Sequence, residues 1–349
     1  MSTAPALLSR AELAAVAKVL EGAGEAVAGP ISARLITGGR SNLTFLLTDG
    51  TRRWVLRTPP RAGRTPSAHD VAREFRVTSS LLRTDVPVAR AVALCTDESL
   101  IGAPFTLVEF VPGRSIQTRA ELDELDDEVV STLADRLVQT LAALHKVDYH
   151  AIGLSEFGRP DAYAQRQLKR WSGQWDIVGA DALDPLAREV SRRLAAAMPE
   201  QKTSSIVHGD FRIDNTIVDL GTGSPGSQTR IAAVVDWELS TLGDPIADVA
   251  MMCAYRDPAL DLILGAPGAW SSPRLPDVPT LAAQYEAAGG VALAHWDFHM
   301  ALAYYKIAVV SAGIDHRVRA AGELGQAQYS PRDAVQSYLE LAHRTLTRP

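Results

Sequence analysis

The hydrophobic pattern of this 349-residue chain changes period near Val111–Gly113, and that change limits the fold more than any other feature. Before it, Ile31–Ile36, Leu43–Thr48 and Arg53–Arg57 are short apolar or alternating runs, separated by Gly38-Gly39 and Asp49-Gly50. Side chains that switch face at every residue and stop at glycine turns spell consecutive antiparallel strands. Val71–Arg83 then carries helical spacing, and Val88–Leu94 and Phe105–Phe110 return to strand. After Pro112-Gly113 the patterns lengthen into helices at Asp123–His145, Ala162–Trp175 and Pro185–Met198. Two short strands follow, Thr216–Asp219 and Ile231–Val235, around the turn-rich stretch GTGSPGSQT, and then more helix. The order predicts an α+β chain with a small β-rich lobe over 1–111 and a larger helical lobe over 112–349, with a ligand-binding cleft between them.

Composition narrows the class of partner. Hydrophobic residues at 46% and charged residues at 22% are those of an ordinary globular protein. The net charge, 35 − 41 = −6, provides no field for nucleic acid or for an anionic membrane surface. Cys95 and Cys253 lie far apart without metal-ligand spacing and read as buried, reduced thiols. Arg10, Glu12 and Lys18 interrupt the apolar N-terminal stretch at helical spacing, which predicts an amphipathic helix and not a signal peptide. The longest apolar run, Phe298–Ile314, contains His299 and Lys306 and falls short of the ~20 residues needed to cross a bilayer. It reads as a buried helix, and the expected address is the cytoplasm. The chain shows no heptad seam from which an oligomeric state could be read.

The chemistry concentrates in His208-Gly209-Asp210-Phe211-Arg212-Ile213-Asp214-Asn215 and in Val234-Val235-Asp236-Trp237-Glu238 after the hairpin. Asp210 and Asn215 have the Asp-x4-Asn spacing of a kinase catalytic loop, in which the aspartate orients a substrate hydroxyl and the asparagine holds magnesium. Asp236 would be the second metal ligand. Magnesium takes hard oxygen donors and keeps several waters, so one carboxylate and one amide oxygen beside nucleotide phosphates suffice. No Asp-Phe-Gly or Ala-Pro-Glu signature follows, which disfavours a protein kinase.

These residues resemble the aminoglycoside phosphotransferase family of small-molecule kinases, whose hallmark is His-Gly-Asp-x4-Asn followed by a metal-binding aspartate at the end of a hairpin strand. The resemblance runs in order along nearly the whole chain and implies a bilobal protein-kinase-like fold using ATP and Mg2+. It gives Asp210 the catalytic role and makes Asn215 and Asp236 the metal ligands. Val234–Pro245 looks like the branch found fused or adjacent to acyl-CoA dehydrogenases, which implies a hydroxyacyl-CoA-like acceptor.

The same resemblance places nucleotide contacts in the first lobe. Thr37–Asn42, with Gly38, Gly39, Ser41 and Asn42, would be the flap over the phosphates, where glycine lets backbone N–H groups approach closely. Arg57 stands where kinases carry a lysine; its planar fork can still hold phosphate, in a differently shaped pocket. Glu74 is the expected partner of Arg57. Glu109 and Val111 would offer backbone groups to the adenine edge, with Ile36 and Val55 as aliphatic residues that could sandwich the ring. His208, Asp244 and Asp248 are expected to support the loop. Arg166, Lys169 and Arg170 share one helical face beside Trp171 and Trp175, either as an anion contact or as a solvated basic face. The acids of the C-terminal helices are mixed with Lys306, Arg317 and Arg319, so no acidic trough for a polycation is apparent. The expected function is phosphorylation of a small-molecule hydroxyl, on a hydroxyacyl-CoA-like or an aminoglycoside- or sugar-like acceptor. The alternative is a catalytically impaired nucleotide-binding scaffold of the same fold.

Overall fold

The computed structural model describes residues 8–38, 42–61, 70–221, 228–320 and 331–348. It divides into two compact units, one of Met1–Pro112 with Ala232–Glu238, the other of Gly113–Ile231 with Leu239–Pro349.

The first unit opens with α1 (Arg10–Gly22), started by a reciprocal cap in which the Ser9 side chain accepts from the Glu12 N–H and Glu12 accepts from the Ser9 N–H. Five strands follow: β1 (Ser32–Gly38), β2 (Leu43–Thr48), β3 (Arg53–Thr58), β4 (Ala91–Cys95) and β5 (Phe105–Glu109), with α2 (Val71–Leu81) between β3 and β4. They form one antiparallel sheet in the order β1-β2-β3-β5-β4. Strand alternation sends Phe45, Leu47, Trp54, Leu56, Phe105 and Leu107 to one face, where they bury against Val16 and Leu20 of α1. The same alternation puts Val55 and Arg57 on the opposite face. Leu46, Val55 and Val108 are paired across three strands there and stay half-exposed.

Two details differ from the sequence reading. The pairing of β1 with β2 shifts register between Leu35 and Thr37, and Thr37 and Gly38 then pair with Thr44 and Leu43, so Gly38 belongs to the strand and not to the expected flap. Gly39 and Ser41, and most of the expected Thr58–Ser67 loop, lie outside the described residues. Ala232–Glu238 joins the first unit, tied in where the Val234 N–H donates to the Pro87 carbonyl at 2.8 Å.

The second unit holds the helices. They are α3 (Arg119–Asp123), α4 (Asp127–Lys146), α5 (Tyr163–Val178), α6 (Asp184–Ala196), α7 (Pro245–Ala254), α8 (Leu260–Leu264), α9 (Val278–Ala287), α10 (Trp296–Ala320) and α11 (Pro331–Thr347). The helix expected over Asp123–His145 is α4, which starts four residues later than expected, and the short α3 ahead of it was not part of the sequence reading. Thr118 and Glu121 form a capping box that starts α3, and Asp126 begins α4 after a break. Short strands β6 (Ser205–Val207) and β9 (Thr241–Gly243) pair antiparallel. Strands β7 (Thr216–Asp219) and β8 (Arg230–Val234) form the hairpin expected around residues 221–229, of which 222–227 are not described. The apolar run at 298–314 becomes α10, buried over most of its length. Cys95 and Cys253 are buried and unpaired, and no helix of the described residues is long and apolar enough to cross a membrane.

Candidate functional site

In the second unit β6 runs into the His208–Asn215 loop, and the turn depends on Gly209. Its φ of +83° is a left-handed conformation, and a Cβ there would meet the Leu239 carbonyl oxygen at 3.0 Å. Asp248, in the first turn of α7 and with its side chain fully buried, accepts from the N–H groups of His208 at 2.6 Å and Gly209 at 2.8 Å. It also lies 3.3 Å from His145 Nε2, whose Nδ1 is 2.7 Å from the Tyr285 hydroxyl. Burial pushes the Asp248 carboxyl upward, but the His145 and His208 contacts outweigh it and hold it below its ordinary value. Asp244 caps α7 by accepting from the Ile246 N–H at 2.9 Å. Both aspartates are therefore structural parts of the loop's surroundings, as expected from their spacing.

Asp210 and Asn215 are brought together. The Asn215 side-chain N–H2 donates to the Asp210 carbonyl at 2.8 Å and to its carboxylate at 2.9 Å, so the N–H2 end of the amide is occupied by Asp210. Arg212, part of the sequence motif but given no role there, pairs with Asp210 at 3.3 Å and with Asp214 at 3.1 Å, and lies 4.8 Å above the Tyr255 ring. Burial lowers the Arg212 pKa, yet the two aspartates more than offset it and hold the guanidinium firmly protonated. Asp-x-Arg-x-Asp in the motif was the available signal: a cation between two acids closes a loop by local charge pairing. The second omission is Lys306, noticed in the sequence as a break in an apolar run and as a cation among the C-terminal acids, with no role at the site. Its ammonium donates to the Gly209 carbonyl at 3.2 Å.

In the first unit Arg57 sits among carboxylates. Its Nε lies 3.0 Å from Glu74, and its Nη2 lies 2.5 Å from Asp236 and 3.8 Å from Glu238. Asn42 donates to Glu74 at 3.0 Å. The expected Arg57–Glu74 pair thus forms, and Asp236 joins it. Glu74 is pushed up to about 7, first by burial and then by the charges of Asp236 and Glu238, which together exceed what Arg57 offsets. Asp236 has φ +64°, a conformation seldom taken by a non-glycine residue. With all three acids ionised the cluster carries −3 + 1 = −2, and oxygens of Glu74, Asp236 and Glu238 lie within 4.8 Å of one another. Hard oxygen donors with a surplus of two negative charges fit a divalent cation such as magnesium.

At the end of β5 the structure narrows one expectation. The Glu109 N–H is taken by the Arg90 carbonyl at 2.9 Å, and one carboxylate oxygen by Arg90 Nε at 2.8 Å, so of its backbone groups the carbonyl remains for a ligand. The Val111 N–H forms no hydrogen bond among the described residues. Ile36 lies at the β1 register shift and is 46% exposed. On α5, Trp175 is core and donates to Asp184 at 3.0 Å, whereas Arg170 stacks on the half-buried Trp171 at 5.1 Å. Tyr305 is core as well.

Comparison with known proteins places the chain by family. The family model described as "Phosphotransferase enzyme family" (APH) matches residues 32–302. Acyl-CoA dehydrogenase family member 10 of Mus musculus is 33% identical over 294 residues, covering 83% of this chain but 27% of that protein, so the chain spans about a quarter of this relative. The crystal structure of a candidate aminoglycoside phosphotransferase from Ralstonia eutropha JMP134 superposes with TM-score 0.76 and 33% identity over 96% of each chain. A thermostable aminoglycoside phosphotransferase APH(4)-Ia mutant, in ternary complex with AMP-PNP and hygromycin B, superposes with TM-score 0.58 over 91% of this chain and 94% of that one. At 15% identity this last likeness is one of fold: α+β and protein-kinase-like.

Proposed function

The chain belongs to the APH phosphotransferase enzyme family, and on that premise we propose that it is an ATP- and magnesium-dependent cytoplasmic kinase that phosphorylates a hydroxyl of a small molecule. The observation that carries the reading is the Asp210 loop: a carboxylate held by Asn215 and Arg212, on a backbone anchored by buried Asp248. The nucleotide complex of the APH(4)-Ia relative supports ATP as the donor.

The labour divides by unit. Residues 1–111 form the nucleotide-binding lobe and 112–349 the catalytic and substrate lobe, with Asp236 serving nucleotide chemistry. The Glu109 carbonyl and the Val111 N–H meet the adenine edge, and the half-exposed Leu46, Val55 and Val108 lie against its ring. Gly38, the last residue of β1, and Asn42 lie beside the phosphates, while the expected contacts of Gly39 and Ser41 fall outside the described residues. Arg57, positioned by Glu74, contacts them with its guanidinium. Asn215 and Asp236 would each offer an oxygen to magnesium, which when bound would neutralise charge on the phosphate oxygens. Asp210 orients the acceptor hydroxyl and takes its proton as the oxygen attacks the γ-phosphorus. The bond from that phosphorus to the bridging oxygen breaks, and ADP leaves with the electron pair. Most of the acceleration comes from positioning and preorganised charge.

The acceptor is a hydroxyacyl-CoA-like alcohol, favoured by the dehydrogenase-family relative, or an aminoglycoside- or sugar-like one, favoured by the hygromycin B complex. The test incubates the protein with ATP, magnesium and a panel of hydroxyacyl-CoAs, aminoglycosides, choline and homoserine, and reads products by mass spectrometry. A phosphorylated product that disappears in Asp210→Ala is expected. Activity undiminished in Asp210→Ala would overturn the mechanism. The 2.5 Å pairing of Arg57 with Asp236 favours one other reading, a scaffold that binds nucleotide without transfer. ATP binding with no product from any acceptor would establish that reading instead.

A further inference from the structure

A lysine in the middle of a buried helix is costly unless its ammonium is satisfied, because three donors and a charge leave water together. Lys306 is in that position: it is 9% exposed, on α10, between Tyr305 and Ile307, both in the core. Among the described residues no carboxylate lies within ion-pairing distance of it. Its Nζ donates instead to the Gly209 carbonyl at 3.2 Å and stands 5.8 Å from the Trp171 ring of α5. The charged groups facing it are Asp210 and Asp248, which favour the ammonium, and Arg170, which opposes it.

We propose that Lys306 is a positioning residue for the phosphotransfer reaction: by holding the Gly209 carbonyl it fixes the plane of the Gly209–Asp210 peptide and hence the direction of the Asp210 carboxylate. The inference rests on the reading of Asp210 as the catalytic residue. Three contacts hold the two peptides that lead into Asp210. The Gly209 N–H goes to Asp248, the Asp210 N–H goes to His208 Nδ1 at 3.3 Å, and the Gly209 carbonyl goes to Lys306. Gly209 has no Cβ and sits at φ +83°, so side-chain sterics do little to stop that peptide from rotating. With its carbonyl unheld, rotation of the plane would swing the Asp210 side chain away from Asn215. Lys306 thus acts on the reaction through Asp210, from a helix remote in sequence.

The test uses the full chain with Lys306→Met, Lys306→Arg and Asp210→Ala. Amide hydrogen exchange read by mass spectrometry on the 205–215 peptide should be faster in Lys306→Met than in wild type, with α10 peptides unchanged and Lys306→Arg near wild type. In steady-state assays on whichever panel compound is phosphorylated, Lys306→Met should lower kcat about tenfold or more with KM for ATP unchanged, as expected for loss of one charged hydrogen bond. Lys306→Arg should recover most of the loss. Unchanged exchange in 205–215, or an unchanged kcat, overturns the proposal. If Asp210→Ala remains active, the catalytic reading fails, while the exchange measurement still judges the peptide clamp. Should Lys306→Met not fold, Lys306→Gln is read by the same criteria.

Discussion

Removing the Asp248 carboxylate should unsettle the second unit more than any surface change. Its side chain is fully buried and accepts three contacts, from the His208 N–H at 2.6 Å, the Gly209 N–H at 2.8 Å and His145 at 3.3 Å. A hydrogen bond to a charged group contributes about 1.5–3 kcal/mol, and a buried donor left without a partner costs a similar amount. Asp248→Ala orphans two backbone N–H groups at once, so the pair bonds alone amount to about 3–6 kcal/mol. Relief of burying a carboxylate offsets part of this, giving an expected loss of about 3–5 kcal/mol. Asp248→Asn keeps one acceptor oxygen and turns an amide N–H2 toward the other N–H, so it should lose about half as much. The assay is urea unfolding of the full chain followed by tryptophan fluorescence, with hydrogen exchange of the 205–215 peptide to localise the effect. The reasoning is refuted if Asp248→Ala unfolds within about 1 kcal/mol of wild type, or if the Asn variant is the less stable of the two.

Arg57→Ala should lower the unfolding midpoint of the first unit by the equivalent of about 2–4 kcal/mol, because Glu74 would be left buried beside two other acids with no cation. Arg57→Lys should restore part of this, and a midpoint unmoved by the Ala change, read in the same urea titration, would sink the idea. His299 is buried, its Nδ1 meets no partner among the described residues, and burial pulls its pKa down to about 4. A base whose folded pKa lies below its unfolded value of 6.5 binds fewer protons when folded, so its contribution is fully present above pH 6.5 and is lost as pH falls from 6.5 to about 4. The loss should approach about 3 kcal/mol. Asp244, 3.8 Å away and itself raised by burial, titrates in the opposite sense at the acid end. Comparing melting temperature against pH for wild type and His299→Gln isolates the histidine: the variant's curve should be flatter between pH 4 and 6.5, and parallel curves would refute the assignment.

What could be read early was whatever depends on near neighbours in the chain. Strand alternation told which residues of β2, β3 and β5 share a face, so Trp54 and Leu56 could be separated from Val55 and Arg57 before any coordinates. The apolar run containing His299 and Lys306 announced a buried helix. Asp210 and Asn215 are five residues apart on one loop, and their spacing already implied that they meet. Boundaries were harder, since capping decides them: Thr118 and Glu121 close on each other and start a short helix ahead of the expected one. The strand register that draws Gly38 out of the flap depends on an irregularity at Leu35–Thr37, which periodicity cannot foresee.

Sequence by itself determined the order of strands and helices and the placing of Asp210 and Asn215 on one loop. Those are consequences of side-chain period, local backbone freedom and short-range spacing. Only the tertiary structure decided the partners. Lys306 reaches Gly209 across 97 positions, His145 reaches Asp248 across 103, and Arg57 reaches Asp236 across 179. A buried charge must be answered by whichever opposite charge or dipole the packing brings beside it, and that neighbour is set by how elements stack in space.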